Sequence, residues 1–272
     1  MRALAASIKK YGRVFLTLRR VGLMNRMAYR VNFFIACFSV LVNMSFTIIF
    51  LQVIFGFVNN FSGWGYYQAL AVAATFMIID GLLWVLCAYL SSIPNHIKNG
   101  SFDQFLVSPI DAQFFISFWR GDSEDSVRIV TGAALLFYAV SHLSLGGGFL
   151  LAGKIFIYLV LLFNGFLIAY SIFLFLRTFS FWFIDVSSLS GLGNSLFDAA
   201  KYPATIFRHK ITQMIVFSVL PIAFLATVPA KILVYGFDWQ LVAGSFLITG
   251  IFLWVSRRFW LWGVSKYTSA SG

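Results

Sequence analysis

The stretch Asn95–Pro109, NHIKNGSFDQFLVSP, is a short polar interruption between two long apolar segments, and the rest of the chain is organised around it. Ser101 and Gln104 have the spacing of a capping box at the start of a helix. Gly100 permits a sharp bend just before that helix, and the proline that closes the stretch stops it, because the residue before a proline avoids the αR conformation. We therefore expect a short helix over Phe102–Val107.

A second short helix is predicted directly after this one. Asp111 stands where an N-cap would start a helix over Ala112–Trp119. That helix carries aromatic residues of the kind that suit a membrane interface, namely Phe114, Phe115, Phe118 and Trp119. Within residues 95–120, the first helix would then stand away from the membrane and the second would lie on the membrane surface. The spacing alone fits either a docking surface for another protein or an ordinary loop that contains helix caps.

The composition of the whole chain is that of an integral membrane protein. Of its 272 residues, 60% are hydrophobic and only 11% are charged, against about 25% charged in a typical soluble domain. The net charge of +11 is therefore interpreted through membrane topology, and no nucleic-acid partner is expected. Cys37 and Cys87 both lie inside apolar runs and carry no disulfide or metal signature.

Six segments are long enough to cross a bilayer, which takes about 20 apolar residues in a helix. These predicted spans are Phe33–Phe57, Tyr67–Leu90, Val127–Leu145, Ile155–Leu176, Gln213–Leu233 and Leu241–Trp262. All lysines and arginines fall on one side of this arrangement except Lys154 and Lys231. The positive-inside rule then places both termini in the cytoplasm. The sequence predicts one all-α transmembrane domain over residues 1–272.

Residues 1–30 are predicted to form a basic amphipathic helix. They hold eight basic residues and no acid, and their apolar residues recur at steps of three and four, at Leu4, Ile8, Tyr11, Phe15 and Leu18. Such a helix lies in the headgroup layer with its apolar face towards the membrane lipids. A specific site for anionic lipid or for a partner is the alternative.

The number of predicted spans would change from six to seven if the segment Phe179–Phe197 also crossed the membrane. This segment is fairly apolar, but it also contains Asp185, five serines and two glycines. If it crossed the membrane, Arg257 and Arg258 would lie outside the cell. We therefore expect it to extend the fourth span and then to lie in the cytoplasm or at the interface.

Three residues within the spans are candidates for function. Asp80 is the only acid deep in a predicted span. A charge there costs roughly 2.5–3.5 kcal/mol, so Asp80 is expected either to face a cavity or partner or to be hydrogen-bonded against another span. Pro221 and Pro229 interrupt the fifth predicted span and free backbone groups that a cavity or a neighbour must satisfy.

Two motifs resemble a known family. The stretch Ile97–Phe114 is similar to the pattern I-x-x-G-x-L/F-D-x-x-L-x-x-P-x-x-x-x-F, with Phe102 where leucine is common and Ser108 where arginine is common. A second signature is matched in order by Phe181–Trp182, Tyr202–Pro203, Ile206–Arg208, Pro221–Phe224 and Pro229–Ala230. With the basic N-terminus, the chain resembles the six-span permease subunits of bacterial ABC transporters of the ABC-2 type.

The resemblance implies a mechanism and a set of site residues. In such transporters the helix after the second span is a coupling helix, which sits in a groove of a separate ATPase subunit that binds ATP and Mg²⁺. By this analogy the ATPase-coupling residues are Gly100, Ser101, Phe102, Asp103, Gln104, Phe105 and Leu106, with Asp103 and Gln104 as polar contacts. The basic N-terminal helix would be an elbow helix beside them.

The resemblance also implies roles for residues in the interior of the membrane domain. Asp80, Pro221 and Pro229 would lie on the translocation path or at the seam with a second permease, identical or sister. The chain after Pro221 would form a re-entrant hairpin, with Pro229–Leu233 returning outward, where the residues alone also allow a kinked continuous helix.

The expected function is that of a non-catalytic subunit of an exporter in the bacterial cytoplasmic membrane. Few charges line the spans, so the cargo would be apolar or amphipathic: a drug, peptide, lipid or glycolipid. The chain holds no cofactor of its own, because Gly148–Lys154 matches most of a P-loop but is followed by Ile155 where a Mg²⁺-binding Ser or Thr is needed. The alternative is a self-contained channel or secondary transporter, which predicts internal repeats.

Overall fold

The computed structural model describes residues 2–27, 30–58, 60, 62–143, 149–183, 186–204 and 221–268. Across these ranges the chain is helical and holds no strand. Its α-helices are α1 (Arg2–Met27), α2 (Arg30–Phe57), α3 (Tyr66–Cys87), α4 (Ile93–Lys98), α5 (Asp103–Leu106), α6 (Ala112–Phe118), α7 (Ser126–Ser141), α8 (Phe149–Thr178), α9 (Ser187–Asp198), α10 (Ile222–Leu225), α11 (Thr227–Tyr235) and α12 (Trp239–Lys266). Short 3₁₀ turns connect several of them, at Ala88–Ser92, Ser123–Asp125, Phe179–Phe181 and Ala199–Lys201.

Four helical stretches in the described ranges are long and apolar enough to cross a membrane. They are Phe33–Phe57, Tyr66–Lys98, Leu151–Phe181 and Trp239–Lys266, which correspond to predicted spans one, two, four and six. The third predicted span is represented by α7, which ends at Ser141 and not at Leu145. The all-helical membrane architecture is confirmed, and the count of six remains a prediction.

The bundle has two distinct ends. At one end, which we call the basic end, α1 and α12 meet the loop that contains α5: Lys10 Nζ donates to the Pro109 carbonyl at 2.8 Å, and the Tyr267 hydroxyl donates to the Gly100 carbonyl at 3.4 Å. At the other end, which we call the far end, the Tyr235 hydroxyl donates to the Gly63 carbonyl at 2.6 Å. The N-terminal helix and the C-terminal residues therefore share one end of the molecule.

The centre of the bundle is built on α3, which packs closely against α7. Glycines make this approach possible: a Cβ added at Gly81 would lie 2.8 Å from Ile129, and one added at Gly132 would lie 3.0 Å from Ile78. Small residues at such contacts bring helix backbones together, which gains van der Waals contact in a membrane where apolar burial alone gives no advantage. By contrast, α2 exposes most of its length, including Phe34 and Phe38.

The fifth predicted span is broken. Residues 205–220 lie outside the described residues, and the chain after Pro221 forms α10 and α11, separated by Ala226 in a non-helical conformation. The alternative that this part of the chain is one kinked, continuous helix is therefore wrong. Pro229 is the third residue of α11, where a helix N–H has no partner to lose, so this proline lies just after the break in the fifth predicted span.

The direction of α11 agrees with the expected outward return. Near its start, the Thr227 hydroxyl accepts a hydrogen bond from the Ala204 N–H at 3.1 Å. The Leu225 carbonyl just before it lies against Gly165, in the middle of α8. At its end, Tyr235 reaches the far end of the bundle. Thus α11 runs from mid-bundle to the far end, and the chain that precedes it after Pro221 is the short helix α10.

The segment after α8 turns back along that helix. Beyond the turn Phe179–Phe181, α9 runs back along α8: Ser190 accepts a hydrogen bond from Arg177, and Gly193 packs against Leu176. The last turn of α9 is buried, because the Phe197 ring contacts those of Phe76 and Phe173, each with centroids 5.2 Å apart. Most other residues of α9 are exposed, so the expected location in the cytoplasm or at the interface stays a prediction. Asp185 lies outside the described residues.

Candidate coupling site and interior cavity

The short helix α5 is seated on buried aromatic rings. Its two phenylalanines, Phe102 and Phe105, are 0% exposed. The Phe102 ring contacts those of Phe181, Trp260 and Tyr267, at centroid distances of 5.3, 6.0 and 5.2 Å. The Phe105 ring contacts those of Tyr89, His96, Phe115 and Trp119, at 6.3, 5.2, 5.7 and 5.8 Å. The helix is therefore anchored in the core of the protein, and its predicted position outside the bilayer stays a prediction.

The start of α5 also differs from the prediction. Gly100 makes the expected bend, with φ at 68°, a value that favours glycine. Ser101, however, does not cap the helix: its hydroxyl lies 2.7 Å from His96 Nδ1, and the N-cap residue is Phe102, without a side-chain bond. The Tyr89 hydroxyl lies 2.8 Å from His96 Nε2 and fixes the orientation of the His96 ring. The ring therefore takes the Ser101 hydroxyl as its own partner, and this hydroxyl is not available to cap the helix.

The residues opposite the aromatic seat form the surface that a partner could touch. We call this the coupling surface and define it as the exposed residues Ser101, Gln104, Leu106 and Val107, the last 82% exposed. Asp103 is half-buried and interacts with the Tyr267 hydroxyl. Of the seven residues predicted to couple to an ATPase, three therefore lie on this surface, two form the seat, Gly100 supplies the bend, and Asp103 is partly engaged within the chain.

The following helix, α6, begins as predicted. Asp111 is its N-cap, and its Oδ1 accepts from the Phe114 N–H at 3.1 Å. Sequence reasoning missed its second partner, since Arg257 of α12 donates to both Asp111 oxygens, at 3.1 and 2.6 Å, and to Gln113 Oε1 at 2.7 Å. Burial alone would raise the pKa of the Asp111 carboxyl, but hydrogen bonds from Arg257 and the Phe114 N–H outweigh it and lower that pKa. This pairing fixes α6 to the last span.

Two substitutions at Asp111 should separate its two roles. Asp111→Ala removes the helix cap and the partner of Arg257, and is expected to lower the free energy of unfolding by about 1–2 kcal/mol. Asp111→Asn keeps a cap of similar strength and loses only the half-exposed ion pair, so about half of that loss is expected. Thermal unfolding of the purified protein in detergent measures both. Equal losses for the two variants would contradict a capping role.

The aromatic face of α1 packs on α6. The rings of Tyr11 and Phe114 lie 4.8 Å apart, and those of Phe15 and Phe118 lie 5.5 Å apart, both edge to face. The predicted helix is confirmed, but this part of its apolar face contacts protein where lipid was expected. The side chains of Leu4 and Ile8 lie outside the described part of the chain. The aromatic residues of α6 attributed to a membrane interface are thus shared between α1 and the α5 seat.

Arg19 of α1 ties three elements together at the basic end. Its guanidinium donates to the carbonyls of Val85 and Leu86, and to that of Phe118 at 3.4 Å. The first two carbonyls lie where α3 gives way to a 3₁₀ turn, and carbonyls at a helix end lack intrahelical partners. No sequence signal distinguishes Arg19 from the other basic residues of α1, so its role was not predictable.

In the bundle interior, Asp80 takes part in an ion network. It accepts hydrogen bonds from Arg128 and from Trp84 Nε1, the latter at 2.9 Å. Arg128, in the first turn of α7, also pairs through Nε with Asp125 at 2.7 Å. Burial raises the pKa of the Asp125 carboxyl to about 6; the Arg128 charge opposes this shift, and Asp80 and Asp122 add to it. Both expectations for Asp80 hold in part, since it is hydrogen-bonded and also borders a cavity.

That cavity, of about 540 Å³, lies between α2 and α3 and is also lined by residues next to α7 and α9. Its charged lining residues are Asp80, Glu124, Asp125, Arg128, Asp198 and Lys201. Its apolar wall includes Val40, Met44, Ala73, Phe76 and Met77. Lys201, one of the basic residues that the topology prediction placed on the cytoplasmic side, therefore borders the cavity. Pro221 and Pro229 are buried but are not part of this wall.

The fold and the sites define a multi-pass helical membrane protein with a seated helix at one end and a charged cavity inside. Among the residues that the structure describes, no group of His, Cys, Asp and Glu side chains could hold a metal ion. Residues 41–271 match the family described as "ABC-2 family transporter protein", so the chain belongs to the ABC-2 transporter family. It is a membrane permease of an ABC transporter, and membership implies an ABC ATPase as partner. A search of the curated proteins finds no match.

Proposed function

We propose that this chain is the non-catalytic permease subunit of an ATP-driven exporter. ATP and Mg²⁺ would bind to a separate ATPase subunit that docks on the coupling surface. The permease would cross a bacterial cytoplasmic membrane six times, with both termini inside. It would pair with a second permease, identical or sister, and move an apolar or amphipathic cargo.

The seating of α5 carries this proposal. A helix of one turn has no stability of its own, yet here its position is fixed by rings from the end of α3, from α6, from the turn after α8 and from α12. Any displacement imposed on the coupling surface must therefore move the ends of several spans together, because packed side chains do not compress. This is the mechanical property that a coupling element requires.

The charge distribution supports the proposed orientation. Arg13, Arg19, Arg120, Arg257 and Lys266 belong to α1, to the loop after α6 and to the last turns of α12, all of which gather at the basic end. Positive residues flank the cytoplasmic side of membrane spans. The coupling surface lies at the same end, where a cytoplasmic ATPase would reach it.

Recovery of the ATPase with the tagged permease tests this function. The double variant Gln104→Lys/Val107→Glu changes two exposed residues of the coupling surface without touching the seat. If each is a binding hot spot of about 2 kcal/mol, at least about thirtyfold less ATPase should be recovered from the native cells in mild detergent, as quantified by mass spectrometry. Asp103→Lys would be a less clean test, because it would also break the contact with Tyr267.

Gln240→Lys is the matched control, since Gln240 is also exposed but lies at the far end, in the first turn of α12. It should leave ATPase recovery unchanged. A wild-type permease that purifies alone, with no ATP-binding-cassette ATPase, would overturn the proposal and favour the self-contained channel or secondary transporter.

A further inference from the structure

Two neighbouring arginines of α12 differ in what they contact. Arg257 is partly buried and donates to both carboxylate oxygens of Asp111. Arg258 is exposed, and within the described part of the chain no carboxylate pairs with it. Its guanidinium lies instead over the Trp254 ring, 5.7 Å from the ring centroid. Of this pair, the first is thus bound within the protein and the second is presented to its surroundings.

Tryptophans lie about one helical turn to either side of Arg258. Trp254 is 61% exposed and Trp262 is 53% exposed. Because residues four apart are neighbours on a helix surface, all three side chains share one face of α12. The Trp262 ring also packs on that of Trp182, with centroids 4.5 Å apart, which holds its position. We call Trp254, Arg258 and Trp262 the tryptophan–arginine stripe.

The position of the stripe along α12 matches the boundary of a bilayer. Arg258 stands 19 positions after Trp239, the exposed tryptophan that opens the helix. That spacing corresponds to about 28 Å along the helix axis, close to the ~30 Å thickness of a hydrocarbon core. Between these two residues the exposed surface carries apolar side chains, among them Leu247 and Ile251. Tryptophans are enriched at the headgroup level, so these features together place Arg258 at the level of the lipid phosphates.

The chemistry of Arg258 fits a phosphate group. A guanidinium presents a planar fork of N–H donors that matches the geometry of phosphate oxygens, and it also stacks on aromatic rings. Among the residues that the structure describes, none accepts a hydrogen bond from Arg258, so its donors are available to a ligand. A cation that faces lipid without a counter-charge is costly. A negatively charged group at this place would therefore be stabilised.

We infer that the tryptophan–arginine stripe binds an anionic phospholipid of the cytoplasmic leaflet. The guanidinium holds the phosphate, the two tryptophans cover the glycerol region, and an acyl chain follows the apolar surface towards Ile251 and Leu247. Zwitterionic lipids bind less tightly, because their own ammonium group is repelled by the arginine. The inference rests on the proposed function only for the choice of leaflet, since the basic end is proposed to be cytoplasmic.

A lipid titration followed by native mass spectrometry tests the inference. The full-length permease is delipidated in mild detergent, and phosphatidylglycerol or phosphatidylcholine with the same acyl chains is added. We expect phosphatidylglycerol to bind at lower concentrations than phosphatidylcholine. Arg258→Gln should weaken the tightest phosphatidylglycerol site about fivefold, the contribution of one arginine near an anionic surface. The same variant should leave phosphatidylcholine binding unchanged.

Lys266→Gln is the matched control, because it removes the same charge from an exposed position at the end of the same helix. Lys266 stands about 12 Å along the helix from Arg258, which exceeds the ~8 Å Debye length, so its loss should weaken binding less than about twofold. Equal weakening by both variants, or equal affinity of the wild type for the two lipids, would overturn the inference.

A second copy of the chain on this face is the competing occupant. If Arg258→Gln lowers the fraction of dimer in the same spectra and leaves the lipid affinity unchanged, the stripe is an interface between copies, and the inference is overturned. The assay contains no ATPase. A permease that purifies without an ATPase would refute the proposed transporter and leave the lipid site standing, and lost lipid selectivity with the ATPase still recovered would refute only the lipid site.

Discussion

Gly121→Ala is expected to lower the free energy of unfolding by at least about 3 kcal/mol, the upper range for overpacking. A Cβ at this position would lie 1.8 Å from the Val85 carbonyl oxygen and 2.1 Å from the Arg19 guanidinium. The first of these atoms belongs to the backbone, so no change of rotamer can relieve the overlap. The next residue is also fixed, because the Asp122 N–H donates to the Trp84 carbonyl at 3.1 Å.

The loss should appear as a lower melting temperature and as a smaller monodisperse fraction on size-exclusion chromatography in detergent. Gly191→Ala is the matched control, since a Cβ there meets no atom within 4 Å. Within helix α9 an alanine is favoured over glycine by up to about 1 kcal/mol, so the control should be neutral or slightly stabilising. If both variants behave alike, the close approach of residue 121 to α3 is not a constraint on the fold.

Phe102→Ala should be similarly damaging, at about 3–5 kcal/mol, because it empties a fully buried site bordered by four aromatic rings. Its effect should be local at first: α5 loses its seat, and the coupling surface loses its fixed position. We therefore expect ATPase recovery to fall along with the melting temperature, although Phe102 itself is not exposed to a partner.

Phe102→Leu distinguishes burial from aromatic chemistry. Leucine fills much of the same space and is common at this position in the family pattern, so the loss should stay below about 1.5 kcal/mol and the ATPase should still be recovered. Val107→Ala, at an exposed neighbouring position, should leave the melting temperature unchanged. An alanine at position 102 that is tolerated as well as leucine would show that the aromatic seat does not hold α5.

Local chemistry made part of this structure predictable. Asp111 caps α6 through a hydrogen bond that spans only three residues. The chain bends at Gly100 because glycine itself permits the positive φ angle found there. The long apolar segments of α2, α3, α8 and α12 also predict their locations well. These features are encoded within a few neighbouring residues.

The features that were not predicted depend on partners outside the local pattern. The capping box at Ser101 was a sound local pattern, but the His96 ring offered its hydroxyl another partner. Asp80 was recognisable as an unusual acid, yet its partner Arg128 stands 48 residues later and had been counted only for topology. The burial of the last turn of α9 depends likewise on tertiary packing, which periodicity and charge counts do not contain.

The long separation between α1 and α6 sets an order of events during synthesis. Lys10 and Pro109, which bond in the finished protein, are 99 residues apart, and a ribosome adds roughly 5–20 residues per second. For several seconds the nascent α1 therefore exists without α6, and Tyr11 and Phe15 have no protein surface to cover them. A basic, aromatic helix binds to the headgroup layer of the membrane, so α1 is expected to lie there during this time. Lipid would thus cover the aromatic face of α1 until α6 is synthesised. The later helix would then displace the lipid and pack on the same face of α1.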